Sequence, residues 1–225
     1  MPPYWIVHDD GLLVPFPNMS SAKESSMILV THFDAFGEDT VNSSQLVAQN
    51  LPTDVLDNIV LAQLPTSKVD VEQRIPELIA QHTPQAILGM GQAGGRTAPS
   101  LEWVAVNLLH STMPDNRGQQ HRAVPIDPHG PDAYLTTLPV LQLQESMEFH
   151  GLPLTLSSTA GLFMCNQALY LFRHHAPTIP SGFLHLPYVP DQVVKKPGIP
   201  SMALDTQIRM VSLILHDIKD WLSQI

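Results

Sequence analysis

From residue 27 onward, short apolar runs alternate with longer segments of helical spacing, and this alternation constrains the fold more than any other feature of the chain. Residues 28–31, 58–61, 86–90, 102–108, 154–156 and 183–186 read as strands. Residues 43–50, 71–82, 141–150, 162–174 and 201–222 read as helices, the second weakened or started late by Pro76. The last is the plainest, with Leu204, Ile208, Val211, Leu215, Ile218 and Leu222 on one face. Residues 162–174 are apolar nearly all round, which predicts a buried helix. Strands of this kind, each followed by a helix, pair in parallel and are covered on both sides. The pattern predicts an α/β fold, a single domain over residues 27–225 built on a mostly parallel twisted sheet flanked by helices on both faces. Residues 1–26 carry Pro2, Pro3, Pro15 and Pro17, then a polar stretch, and hold no sustained period; they read as an irregular N-terminal extension. Residues 110–139, rich in Pro, Gly, Asp and His, read as a long irregular surface segment.

Charge narrows the partners. With 11 Lys and Arg against 21 Asp and Glu, the formal net charge is −10, which repels nucleic acid phosphates and anionic membrane surfaces. A small neutral or cationic partner fits better. The single cysteine cannot close an internal disulfide. The N-terminus shows no basic region followed by an apolar stretch, and no apolar run reaches the ~18 residues of a membrane span. A cytoplasmic location is the expectation.

Two patterns suggest chemistry without the context to support it. Gly89-Met90-Gly91-Gln92-Ala93-Gly94 matches G-x-G-x-x-G after a strand, but a dinucleotide site requires a helix next, and Gly95-Arg96-Thr97-Ala98-Pro99-Ser100 reads as a loop. The plainer reading is a tight turn at which backbone approaches closely or offers amides to a ligand. His174 and His175, with His121, His129, Asp115, Asp127 and Asp132, are the candidate metal ligands, yet no H-E-x-x-H or paired C-x-x-C is present. No metal or cofactor is expected.

Cys165 is the more promising group. A lone cysteine in an apolar helix is by default an inert core residue, but Ser157-Ser158-Thr159-Ala160-Gly161 places it near the start of that helix, where the dipole favours a thiolate. The dipole does not suffice. Lowering a thiol from ~8.5 by ~2 units takes ~2.7 kcal/mol, a helix terminus supplies ~0.3–1 and at most ~2 kcal/mol, and burial acts in the opposite sense. A cationic partner is required, and an imidazolium is the usual one. Of eleven histidines, His185 interrupts an apolar strand at its C-terminal end, where ligand sites of open α/β sheets lie; its default reading is a core histidine satisfied by backbone. Glu102, at the start of a strand after the glycines, is a candidate to orient the imidazole, against a default reading as a loop carboxylate.

These residues fall within four motifs. Residues 28–37 with Val41-Asn42-Ser43-Ser44, residues 91–96 with Glu102-Trp103-Val104-Ala105-Val106-Asn107, residues 158–166 around Cys165, and residues 182–192 around His185 together resemble, in order, the motifs of the pyroglutamyl peptidase I family of cysteine peptidases. The resemblance covers residues 27 to about 215. It implies hydrolysis after an N-terminal pyroglutamate by a Cys165–His185–Glu102 triad. It implies that Phe33 and Phe36 hold the lactam ring, that backbone near Gln92 pairs with the lactam amide, and that Asn42 and Thr66 line or support the pocket. The implied partners are peptides bearing N-terminal pyroglutamate, and the implied assembly is a homotetramer or dimer. The chain also departs from the family pattern. His32 stands where glycine is usual, beside the pocket motif, where it would perturb the turn or narrow the site. Ala35 replaces a proline, Glu38 a glycine and Trp103 an arginine, and Thr112 stands where an arginine of the active-site wall and oxyanion region is common. The alternative left open is a divergent, weakly active or inactive homologue that acts as a binding or scaffold protein.

Overall fold

The computed structural model describes residues 27–225 and, before them, two short strands, β1 (Trp5–Val7) and β2 (Leu13–Pro15), which pair antiparallel. The rest of residues 1–26, and with it most of the segment expected to be irregular, lies outside the described residues. In chain order there follow β3 (Ile28–Phe33), α1 (Ser43–Gln49), β4 (Ile59–Leu64), α2 (Lys68–His82), β5 (Ala86–Gln92), β6 (Ser100–Glu102), β7 (Val104–Val106), β8 (Ala133–Leu135), α3 (Val140–Phe149), β9 (Thr155–Ser157), α4 (Met164–His175), β10 (Ser181–Leu186), α5 (Pro190–Val193) and α6 (Leu204–Leu222). Six strands form the central sheet in the order β4-β3-β5-β10-β6-β9. Four of them run parallel; β6 pairs antiparallel to β10, and β9 runs parallel to β6.

Period-2 alternation divides the strand side chains between two cores. Ile28 and Val30 of β3, Leu88 and Met90 of β5 and Leu184 and Leu186 of β10 face α1, α3 and α6. Leu29 and Phe33, Ile87 and Phe183 face α2 and α4. Both faces of β3, β5 and β10 are therefore dry, which is why these central strands are mostly apolar rather than alternating. The helix of residues 162–174 begins two residues late, at Met164, and is buried along most of its length, as its apolar circumference predicts.

Several local expectations are corrected. Helix α2 starts at Lys68 and runs through Pro76 without breaking, because Val71, Ile75 and Leu78 pack into the second core and outweigh one missing backbone hydrogen bond. The segment 102–108 is not one strand. It divides at Trp103 into β6, in the main sheet, and β7, which leaves the sheet to pair with β8. Of the glycines expected in a turn, Gly89 and Gly91 lie inside β5, whereas Gly94 does lie in the turn that follows Gln92. Helix α5 has no counterpart in the sequence reading; at four residues it is too short for a periodic signal.

Candidate active site

The C-terminal ends of β3, β5 and β10 meet the N-terminal end of α4. On β5, Gly89 and Gly91 point to the face that α4 covers, and their missing side chains let it approach. A Cβ on Gly91 would stand 2.6 Å from Cys165 Sγ, and one on Gly89 would stand 2.4 Å from the Phe183 ring. Cys165 is the second residue of α4, in its first turn, where helix amides have no intrahelical acceptor. Asn166 secures this end of the helix: its Oδ1 accepts from Val106 N at 2.9 Å, and its Nδ2 donates to the carbonyls of Val106 and Leu108. The register partner of Gly91 on β10 is His185, so the thiol over Gly91 and the imidazole are neighbours by strand pairing. Glu102 reaches His185 from the other side, because His185 pairs with Ser100 and Glu102 lies two residues further along the same face of β6. His185 Nδ1 and Glu102 Oε1 are 2.7 Å apart, and Glu102 is fully buried. With Nδ1–H donated to the carboxylate, Nε2 is left to accept a proton.

Cys165 and His185 line one cavity of about 280 Å3, which also takes in Phe33, Phe36, Asn42, Thr66, Gln92 and Arg96. Glu102 stands behind His185 and outside the lining. Burial pushes the Cys165 thiol up to about 12, with Glu102 acting in the same sense and Arg96 against it. Cys165 as a residue is nevertheless only partly buried, and it lines the cavity. Burial also pushes His185 below the usual imidazole value of 6.5, with its hydrogen bond to Glu102 opposing. Both directions favour neutral thiol and neutral imidazole.

The cavity wall mixes ring surface with polar groups occupied elsewhere. Phe33 is 2% exposed and packs on Phe183 at 6.5 Å between ring centroids; Phe36 packs on Phe163 at 6.1 Å. Asn42 caps α1, accepting from Ser44 N, and donates to the Asp34 carbonyl. Thr66 Oγ1 donates to Asp34 Oδ1 at 2.6 Å, and Asn116 Nδ2 donates to the same oxygen at 3.2 Å. Gln92 Oε1 accepts from Ser43 N and from Gln192 Nε2, while its Nε2 donates to Asp39. Asn42, Thr66 and Gln92 thus shape the wall and fix its loops, with their side-chain polar atoms largely spent on protein partners.

Known proteins decide the family. The family model for pyroglutamyl peptidase matches residues 26–219. The chain belongs to the pyroglutamyl peptidase family. Pyrrolidone-carboxylate peptidase 1 of Caldanaerobacter subterraneus subsp. tengcongensis is 40% identical over 190 residues, 82% of this chain and 93% of that one. The pyrrolidone-carboxylate peptidase of Streptococcus suis is 39% identical over 199 residues, 86% of this chain and 93% of that one. Among solved structures, pyrrolidone carboxyl peptidase from Thermus thermophilus superposes with a TM-score of 0.79 at 38% identity, over 84% of this chain and 98% of that one. The enzyme from Pyrococcus furiosus gives 0.82 at 30% identity, over 87% of this chain and 99% of that one. Like its family, the chain is a cysteine-type omega peptidase.

Two of the departures from the pyroglutamyl peptidase pattern, His32 and Thr112, resolve by position. His32 does not narrow the site. It lies within β3, on the face opposite Phe33, buried and outside the cavity lining. Thr112 is exposed and also outside the lining; the guanidinium at the cavity is that of Arg96. Arg96, Asn166 and Gln192 were not singled out from sequence, although each lies inside one of the four motifs. Among the described residues no group of three or more His, Cys, Asp or Glu could hold a metal; His121 pairs with Asp115 and His174 with Asp127 instead. No helix among the described residues is long and apolar enough to cross a membrane.

Two predictions arise here. Gly91→Ala displaces the thiol or the helix end that carries it, and a displacement of about 1 Å costs roughly 100-fold in kcat/KM while secondary structure is kept. Steady-state kinetics beside circular dichroism check this. His32 has its Nδ1 buried without a partner among the described residues, and burial holds its pKa below 6.5. Below that value the unfolded chain binds a proton that the folded one refuses, so stability falls as pH drops. His32→Gln therefore makes the decline in Tm between about pH 7.5 and 5.5 shallower than in the wild type, as differential scanning fluorimetry would show.

Proposed function

We propose that residues 27–225 hydrolyse the bond after an N-terminal pyroglutamate with Cys165 as nucleophile, His185 as general base and acid, and Glu102 as the residue that orients the imidazole. The observation that carries this reading is the convergence of Cys165, His185 and the rings of Phe33 and Phe36 on one cavity, with Glu102 hydrogen-bonded behind the imidazole. The relatives named as pyrrolidone-carboxylate peptidases support the substrate class.

In the first half-reaction Cys165 Sγ attacks the pyroglutamyl carbonyl as His185 Nε2 takes the thiol proton. The carbonyl oxygen becomes an oxyanion against the unpaired amides of the first turn of α4, which carry partial positive charge and need not reorganise. Collapse of this intermediate re-forms the carbonyl and breaks the C–N bond, and His185 gives its proton to the leaving amine. Water then attacks the thioester with His185 again accepting a proton, and pyroglutamate leaves as the thiol is restored. Through both halves Glu102 keeps the proton of the resting imidazole on Nδ1 and stabilises the imidazolium.

An N-terminal pyroglutamate has no positive charge and carries a lactam carbonyl that proline lacks. A site that pairs this carbonyl rejects a prolyl amide by about 10⁴ in kcat/KM. The test is a fluorogenic pyroglutamyl amide set against the prolyl amide, each with and without a thiol alkylating agent and with a chelator. Turnover of the first alone, lost on alkylation and kept with chelator, supports the reading. A folded protein that turns over neither substrate returns the binding or scaffold alternative. The ring contact is best tested with Phe33→Leu. Phe33 belongs to the second core, and truncating such a residue to alanine costs about 3–5 kcal/mol of stability, which would obscure an effect on KM. With leucine, KM rises and kcat changes little.

A further inference from the structure

We infer that Arg96 is a positioning residue of the thiol–imidazole pair, aiming the Glu102 carboxylate and setting the electrostatic balance at Cys165. The inference rests on the proposed Cys165–His185–Glu102 assignment and goes beyond it.

Arg96 lies in the loop between β5 and β6. Its Nη1 donates to Glu102 Oε1 at 2.6 Å, the same oxygen that His185 Nδ1 reaches at 2.7 Å. Glu102 Oε2 is buried with no partner among the described residues. Both donors thus converge on one oxygen. A second donor on the shared oxygen fixes the position and plane of the carboxylate against the ring, where a single hydrogen bond would leave it free to swing about its Cγ–Cδ bond. The second terminal nitrogen, Nη2, stands 3.5 Å from Ser157 Oγ and from the Thr159 carbonyl, on the loop that leads into α4 and Cys165. Arg96 also lines the cavity. One planar group therefore touches the carboxylate behind the imidazole, the approach to the nucleophile's helix and the wall of the site. A planar fork with several fixed donors can do this, whereas the ammonium of lysine is a single charged point.

The sign of the electrostatic effect follows from placement. Glu102 and Arg96 are the charged groups whose fields act on Cys165 and His185. Unopposed, Glu102 raises both groups: it repels a forming thiolate and favours an imidazolium. Arg96 lowers both. Removing the positive charge must therefore move the titration of the pair to higher pH, whichever of the two groups is named as titrating.

The experiment compares wild type, R96Q and R96K in three measurements: the rate of Cys165 alkylation by iodoacetamide against pH without substrate, kcat and KM for a pyroglutamyl amide, and thermal unfolding. For R96Q the alkylation profile moves to higher pH by about half a unit or more, and kcat falls about 10- to 100-fold while KM stays within about threefold. R96K keeps the profile near that of the wild type and recovers part of kcat. An R96Q profile superimposed on the wild type overturns the inference, whether Tm is kept or lowered; with a lowered Tm it leaves Arg96 only a structural tie for residues 157–159. Should R96Q fail to fold, R96K decides: a kcat loss of about tenfold supports the role of the planar fork, and an unchanged kcat overturns it. The alkylation arm needs no substrate. A shifted profile in a protein that does not turn over pyroglutamyl amides sinks the proposed substrate and leaves this inference standing. Turnover with an unmoved profile does the reverse.

Discussion

Cys165→Ala brings kcat on a pyroglutamyl amide down by about 10⁵-fold or more, to the level of the uncatalysed reaction within assay error, while Tm stays within a few degrees of the wild type. The size follows from the role. With the sulfur gone no thioester forms, and His185 has no nucleophile to deprotonate other than water. The cavity still binds substrate, so the variant competes for pyroglutamyl peptides with an affinity close to that of the wild type. Folding is spared for a specific reason: Cys165 lines the cavity, so loss of its sulfur enlarges a space that is already open rather than creating a sealed void in the core. Cys165→Ser is the more discriminating variant. It keeps the shape but replaces the thiol with a far less acidic hydroxyl, and it falls nearly as low. Turnover by Cys165→Ala above about 1% of wild type would remove Cys165 from the mechanism and require another nucleophile in the cavity.

What the sequence made legible and what it did not follow from the range of each interaction. Strand and helix periods are local, so the α/β class, the covered sheet and the burial of α4 are readable from residues a few places apart. The C-terminal position of His185 on its strand is local as well, and it pointed to the end of the sheet where the cavity lies. The pairing of Glu102 with His185 is not local. It depends on β6 running antiparallel to β10, and no property of three residues, Ser100 to Glu102, encodes that direction. Gly89 and Gly91 show the same limit. Glycine is permissive in turns and also where two elements approach closely, and only the position of Cys165 and Phe172 on α4, with Phe183 on the neighbouring strand, distinguishes the second case. Pro76 misled because its local cost is real but smaller than the packing gained by Val71, Ile75 and Leu78. His32 looked like a pocket residue from its place in the motif, yet in a strand a neighbour of Phe33 necessarily points to the other face. Arg96 was hidden because two of its three contacts, to Ser157 and Thr159, span 61 and 63 residues, and the loop that carries it has no period.

Glu102→Gln is the sharper test of how the three groups act together, and it lowers kcat by about 10⁴-fold. The substitution is isosteric, so the fold and the cavity are kept, but the amide has one oxygen acceptor and one nitrogen donor. If its oxygen occupies the place of Oε1, it accepts from both Arg96 and His185 without a negative charge, and its NH2 is left at the buried Oε2 position, where no partner stands among the described residues. If the amide flips, its NH2 meets Nδ1 and drives the imidazole to the tautomer with the proton on Nε2, which cannot take the thiol proton. Either arrangement impairs the reaction, the first by removing stabilisation of the imidazolium and the second by removing the base. Stability falls by about 1–3 kcal/mol for the unsatisfied buried group, measurable by urea denaturation. Glu102→Asp separates charge from reach: it keeps the anion, shortens the side chain by one methylene and retains more activity than the amide. A Glu102→Gln enzyme within about tenfold of wild-type kcat would show that His185 holds its tautomer without the carboxylate, and the contact at 2.7 Å would then be structural rather than mechanistic.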